Sequence, residues 1–118
     1  LSRAKQNQLI EEEKERLLKV FTGISDDKRE LVKSLIDRVS FMAITLNLLE
    51  EEIKTKGATT LFEQGKQKMI IENPAQKSYN TMINRFTTAM KQLFDLLPKD
   101  NEATDDGFEA FLNRVDED

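Results

Sequence analysis

The chain has 118 residues, 34% of them charged and 38% hydrophobic, with 18 Lys+Arg against 22 Asp+Glu for a formal charge of −4. It has no Cys and no His, which excludes a disulfide framework, a thiolate nucleophile, a zinc ribbon, a Ser-His-Asp triad and an HExxH zinc site. No apolar run approaches the ~20 residues that span a bilayer.

That length holds one ordinary domain. Four Gly and two Pro leave few turns, and long elements rich in Glu, Lys, Leu and Ile point to helix. The start lacks the long apolar stretch of a signal peptide, so the chain is expected to be soluble and intracellular, with no membrane partner. Leu1 is not an initiator Met, and a few residues are expected upstream of it. Charge is placed unevenly. Residues 1–98 carry 16 basic and 14 acidic side chains, whereas residues 99–118 carry two basic and eight acidic ones. The acidity therefore belongs to the tail.

In chain order, Ser2 can cap a first helix running to about Phe21, with Leu9, Ile10, Leu17, Leu18 and Val20 on its apolar side. The run Glu11 to Arg16 reads as a solvated face laced by i,i+3 and i,i+4 pairs, and Thr22-Gly23 ends the helix. A second helix is expected from about Asp27, paired with Glu30 in an acidic variant of the capping box, to Lys56, a length of roughly 45 Å. Leu35, Val39, Met42, Leu46, Leu49 and Ile53 form a seam at alternating spacings of four and three residues, suited to a partner helix. Ile36, Phe41, Ile44 and Leu48 widen that stripe and call for a second cover, which makes them candidates for an oligomer interface.

Residues 57–73 read as one irregular stretch, longer than the usual connection between helices. Within it, Met69-Ile70-Ile71 either packs down on the helices or makes a short strand-like contact with another subunit. The third helix has a clear start, with Asn73 as cap, Pro74 at the first helical position and Gln76 two residues later. Tyr79, Met82, Ile83, Phe86, Met90, Leu93 and Leu97 form its apolar face up to Pro98, packed as core against the second helix. Residues 99–107 read as a linker. Phe108, Phe111, Leu112 and Val115 then recur at helical spacing among acids, in a segment too short to be stable alone. It folds either against its own domain or in a partner groove.

No enzyme chemistry is visible. Carboxylates are abundant enough to pair by chance, and a di-iron site of the Glu-x-x-His type has no His. Gly65-Lys66 lacks the spacing of a phosphate loop, and Ser25, Ser34, Ser40 and Ser78 have no histidine base. No catalytic residue, metal site or cofactor is expected. A nucleic-acid reading has clustered cations to draw on, because phosphate contacts need local Lys and Arg rather than a basic total. Lys66, Lys68, Lys77, Arg85 and Lys91 face Glu72 alone between Gln64 and Phe94, and Arg3 and Lys5 make a basic start. The same cations could equally be ordinary surface residues, and no helix-turn-helix signature, zinc finger or stacking platform accompanies them.

The stretch Glu72-Asn-Pro-Ala-Gln-Lys-Ser-Tyr79-Asn80, continued through Phe86 to Gln92-Leu-Phe-Asp-Leu-Leu-Pro98, resembles the small terminase subunits of tailed bacteriophages of Gram-positive hosts. Leu35 to Leu46, followed by Leu49-Glu-Glu-Glu-Ile53, is similar to the first long helix of that family. The resemblance covers about residues 10–98. It implies a non-catalytic factor for viral DNA packaging that assembles into a ring, engages viral double-stranded DNA and regulates the large terminase subunit in the cytoplasm of the infected bacterial host. It also implies that an acidic tail contacts the large subunit.

Residues and resemblance together predict an all-α fold. A long antiparallel helical hairpin and an N-terminal helix would form a core and DNA-binding domain over residues 1–98. An acidic linker with a short C-terminal helix would occupy 99–118, and the subunits would associate in a ring-like oligomer. The expected DNA contacts are Arg3, Lys5, Lys66, Lys68, Lys77, Arg85 and Lys91, and the expected partner contacts are Phe108, Phe111, Leu112 and Val115. The alternative from a different class is a helical protein–protein adaptor that never touches nucleic acid, and the net negative charge favours it.

Overall fold

A computed structural model describes residues 1–98. Three helices and one β-hairpin follow in chain order: α1 (Arg3–Val20), α2 (Asp26–Lys56), β1 (Thr59–Gln64), β2 (Gln67–Glu72) and α3 (Pro74–Phe94). The expectation of an all-α chain is therefore corrected: the fold is helix-rich but carries a two-stranded antiparallel sheet. Residues 57–73 are its frame rather than an irregular loop. The expected linker and short helix, with Phe108, Phe111, Leu112 and Val115, lie outside the described residues.

Each boundary has a local cause. The Ser2 hydroxyl accepts from the Lys5 N–H at 3.1 Å and caps α1, and Gly23, at φ +87°, takes the left-handed turn after it. The cap of α2 is Ser25, not Asp27. Asp27 instead stands in the first turn, where the Ser25 hydroxyl bonds its carboxylate and holds it below its usual range. That placement also suits the positive end of the helix dipole. Three carbonyl-directed Thr hydroxyls, at Thr81, Thr87 and Thr88, run along α3.

Helix α2 is the spine, packed against both α1 and α3. Leu17 and Phe21 from the first helix, Val32, Ile36 and Val39 from the second, and Met90, Leu93 and Phe94 from the third form one buried cluster. The rings of Phe21 and Phe94 meet edge to face with centroids 5.7 Å apart, a favourable aromatic geometry. The stripe assigned to a second cover is divided. Ile36 and Ile44 are buried within their own chain and are unavailable to another subunit, because α1 and α3 already enclose that side of the spine. Phe41 remains 52% exposed and Leu48 is partly buried.

The hairpin pairs Thr59 with Glu72, Leu61 with Ile70, Phe62 with Met69 and Glu63 with Lys68. Its turn places Gly65 first, at φ +60°, followed by Lys66 at negative φ, the pattern of a type II′ turn that matches strand twist. At its base one residue holds three elements together. Asn73 is buried, donates its backbone N–H to the Ala58 carbonyl at 2.8 Å and its side-chain amide to the Gly57 carbonyl at 2.8 Å, and accepts from the Ala75 N–H at 3.0 Å. The end of α2, the mouth of the hairpin and the start of α3 are thus joined through one side chain. Gln76 does not complete a capping box; its amide reaches Asn80 instead, at 2.8 Å.

Candidate nucleic-acid interface and assembly surfaces

Helix α3 contains no acidic residue from Pro74 to Phe94. Its buried side supplies Met90, Leu93 and Phe94 to the core. The opposite side presents Lys77, Thr81, Asn84, Arg85, Thr88 and Lys91, all exposed, at the i, i+4, i+7 and i+8 spacings that share one helix face. From Lys77 to Lys91 the stripe is roughly 21 Å long at 1.5 Å per residue. Among the described residues none of its three cations has an ion-pair partner. By contrast, Lys14, Arg29, Lys54 and Lys56 are matched with carboxylates on α1 and α2.

The hydroxyl protons of Thr81 and Thr88 go to the Lys77 and Asn84 carbonyls and one Asn84 amide proton to the Asn80 carbonyl, so the cations are the charged donors left for an outside anion. Lys77 and Arg85 also border an open groove of about 460 Å³ with Met42, Ser78, Thr81 and Met82. Thr81, Asn84 and Thr88 escaped the sequence reading, although their spacing from Lys77 and the absence of acids around them were there to be found.

The structure brings Lys77, Arg85 and Lys91 onto one surface and distributes the other cations. Lys66 sits in the hairpin turn. Lys68 is on β2, 3.9 Å from the Glu63 carboxylate of β1, an exposed pair of small energetic weight. Arg3 and Lys5 open α1, a separate element. Tyr79 lies on the α2-facing side of the helix, opposite the stripe, donating its hydroxyl to the Glu50 carboxylate of α2 at 3.1 Å. Burial, then the bond to that carboxylate, pushes its phenol above the usual range.

The second exposed surface is apolar. Leu61, Phe62, Met69 and Ile70 are all open to solvent on the hairpin, Ile70 at 75%. Thr60 and Ile71 at the base are partly covered. Met69-Ile70-Ile71 therefore does not pack down on the helices as a unit. Among the described residues no group of three or more acidic side chains is placed to hold a metal, and no helix is long and apolar enough to cross a membrane. Comparison with protein-family models, with curated proteins and with solved structures returns no match.

Proposed function

We propose that this chain is a small terminase subunit, a non-catalytic, self-assembling factor that holds viral double-stranded DNA for packaging and delivers it to a large terminase subunit. The observation that carries the DNA contact is the acid-free stripe of Lys77, Arg85 and Lys91 on α3, whose cations have no carboxylate partner among the described residues. Unpaired cations on one rigid face can replace the counterions of successive phosphates without first breaking an ion pair. Such contacts position a duplex and carry no sequence information. The family resemblance of residues 72–98 supports the same reading, since the stripe lies within that stretch.

One monomer offers few contacts. Repeating the stripe around a closed assembly supplies the rest through effective concentration. The mechanism is electrostatic and geometric, with no covalent step. A second reading, a protein–protein adaptor without DNA contact, is favoured by the exposed apolar hairpin.

A salt series of DNA affinity separates the two. Each phosphate contact adds about −0.9 to the log–log slope. Replacing Lys77, Arg85 and Lys91 together by Ala is expected to weaken binding for all sequences alike and to flatten the slope by roughly 2.7 per engaged subunit. A slope unchanged by that triple substitution excludes the stripe. An absence of salt-dependent binding by the parent chain leaves the adaptor reading in its place.

A further inference from the structure

We propose that the hairpin is an assembly element: β1 of one copy pairs, edge to edge and antiparallel, with β2 of the next, so that successive hairpins form one continuous intersubunit sheet. This rests on the self-assembly in the reading above but not on its DNA contact.

The hydrogen-bond phase of the hairpin shows which backbone groups are free. The Asn73 N–H donates to the Ala58 carbonyl, which makes that pair a hydrogen-bonded one. In an antiparallel ladder such pairs alternate with non-bonded ones. Thr60/Ile71, Phe62/Met69 and Gln64/Gln67 are then the bonded pairs of the hairpin. The N–H and C=O groups of Thr59, Leu61 and Glu63 point out from one edge, and those of Lys68, Ile70 and Glu72 point out from the other. The two edges are equally long, six residues each.

Neither edge carries a backbone guard, and the charges on them, Glu63 and Lys68, are of opposite sign. Neither strand contains Pro, the paired register runs without a bulge from Thr59 to Gln64, and no helix makes an extensive contact with the sheet. Proteins that keep an edge strand free usually spoil it with one of those devices. Both faces are apolar at the middle of the hairpin as well. Leu61 and Ile70 share one face and Phe62 and Met69 the other, all exposed. An isolated two-stranded sheet is at best marginally stable in water, so this hairpin has reason to acquire neighbours.

A second copy is the occupant that the charges select. The β1 edge carries Glu63 near the turn and no base, while the β2 edge carries Lys68 near the turn, with Lys66 beside it, and Glu72 only at its far end by the base. Pairing β1 with β2 of the next copy sets Glu63 across from Lys68, or one diagonal position away if the strands are staggered, and either spacing is attractive. It also consumes both edges of every hairpin. A two-fold pairing of β2 with β2 consumes one edge and leaves the Leu61–Phe62 edge open. Head-to-tail pairing closes when the rotation between copies closes, and closure is the arrangement that abolishes edges.

The absence of Cys makes the test direct. Leu61→Cys and Ile70→Cys are made in separate chains, so that no disulfide can form within one hairpin, and the two full-length chains are coexpressed and oxidised. Across the proposed interface these positions form a hydrogen-bonded pair with Cα atoms about 5.5 Å apart, within disulfide reach. The expected result is a mixed 61–70 cross-link, or 61–68 or 61–72 with Cys at the staggered positions. A Glu15→Cys control should give none.

A cross-link confined to 70–70 or 61–61 overturns the proposal in favour of a two-fold contact. No cross-link in a chain whose mass by light scattering is oligomeric overturns it too, while leaving self-assembly standing. A monomeric parent mass overturns both. Ile70→Pro supplies a second arm. Its N–H points outward, so the intra-hairpin bonds survive while the edge loses a donor. The far-ultraviolet circular dichroism should stay at the parent level while the assembly falls to monomer, and retention of the parent mass overturns the proposal.

Discussion

The Asn73 side-chain amide donates to the Gly57 carbonyl at 2.8 Å, across 16 positions of sequence. That bond closes the base of the hairpin and aims α3 back along α2. Gly57 stands at φ +86° and ψ 170°, a region essentially reserved for glycine, so its carbonyl direction depends on having no side chain. Asn73→Ala removes the cap of α3 and strands the carbonyl, an expected loss of about 2 kcal/mol. Gly57→Ala costs about 1–3 kcal/mol through backbone strain alone. Asn73→Asp keeps the acceptor for the Ala75 N–H but turns a carboxylate oxygen toward the Gly57 carbonyl. That variant loses the amide donor to Gly57 and should melt below the parent at neutral pH. Thermal melts of the three variants at neutral pH check the set, and a parent-like melt for Asn73→Ala would remove the clasp from the account.

The Asn-Pro start of α3 was legible because capping chemistry is local: a side-chain oxygen, a missing N–H and a helix-compatible φ all lie within four residues. The spine was legible because the Leu35–Ile53 spacing encodes a helix face independently of what covers it. The hairpin was not. A half-buried strand announces itself by alternation, but Leu61-Phe62 and Met69-Ile70-Ile71 place apolar side chains on both faces, which erases the period of two. Gly65-Lys66 lacks the spacing of a phosphate loop, and Gly first in a two-residue connection suits a type II′ turn, a signal that only the flanking strands make specific. The fate of Ile36 and Ile44 depended on where α1 lies, and the sequence of α2 carries no record of that. The cations on α3 were found individually, but their union on one face needed the hydroxyl and amide residues between them.

Ser40 is fully buried and its hydroxyl has no hydrogen-bond partner. A buried hydroxyl left unpaired costs roughly 1–3 kcal/mol relative to one that stays solvated. Ser40→Ala keeps the helix, improves propensity and deletes the orphaned group, so the variant should melt higher by about 1 kcal/mol of stability. Ser40→Val adds volume to a packed helix contact and should melt lower. Urea titrations of both variants against the parent decide the matter; a destabilised Ser40→Ala would mean that the hydroxyl has a partner in solution.

The Tyr79–Glu50 bond joins the inner side of α3 to α2, and folding raises the phenol pKa, first by burial and then through that carboxylate. A group with a raised folded pKa contributes its stability below the unfolded value and loses it as pH rises through the folded one. The bond should therefore contribute steadily at neutral and mildly alkaline pH and fail above the ordinary tyrosine range. Tyr79→Phe should lower stability by about 1 kcal/mol near neutrality. The difference between parent and variant should shrink toward strong alkali. Paired unfolding curves across that range test the sign. A difference that grows with pH would show that the ionised phenol, not the neutral one, is the form held in the fold.

Phe41 and Ile36 lie on the same helix with opposite surroundings, 52% and 1% exposed. An aspartate at Ile36 leaves a charge in the Leu17–Phe94 cluster with nothing to pair it, and the chain should fail to fold. At Phe41 the same substitution meets solvent in the isolated subunit, so helix content should persist. If the Phe41–Leu48 face packs on a neighbouring copy, burying the ring contributes roughly 1.5–3 kcal/mol per contact, and Phe41→Asp should dissociate or shrink the assembly. Light scattering together with far-ultraviolet circular dichroism separates the outcomes. A folded Phe41→Asp variant of parent mass would confine self-association to the hairpin edges, whereas a folded monomer would show that the helix face is needed alongside them. An unfolded Phe41→Asp variant would contradict the exposure of that ring and return it to the subunit's own core.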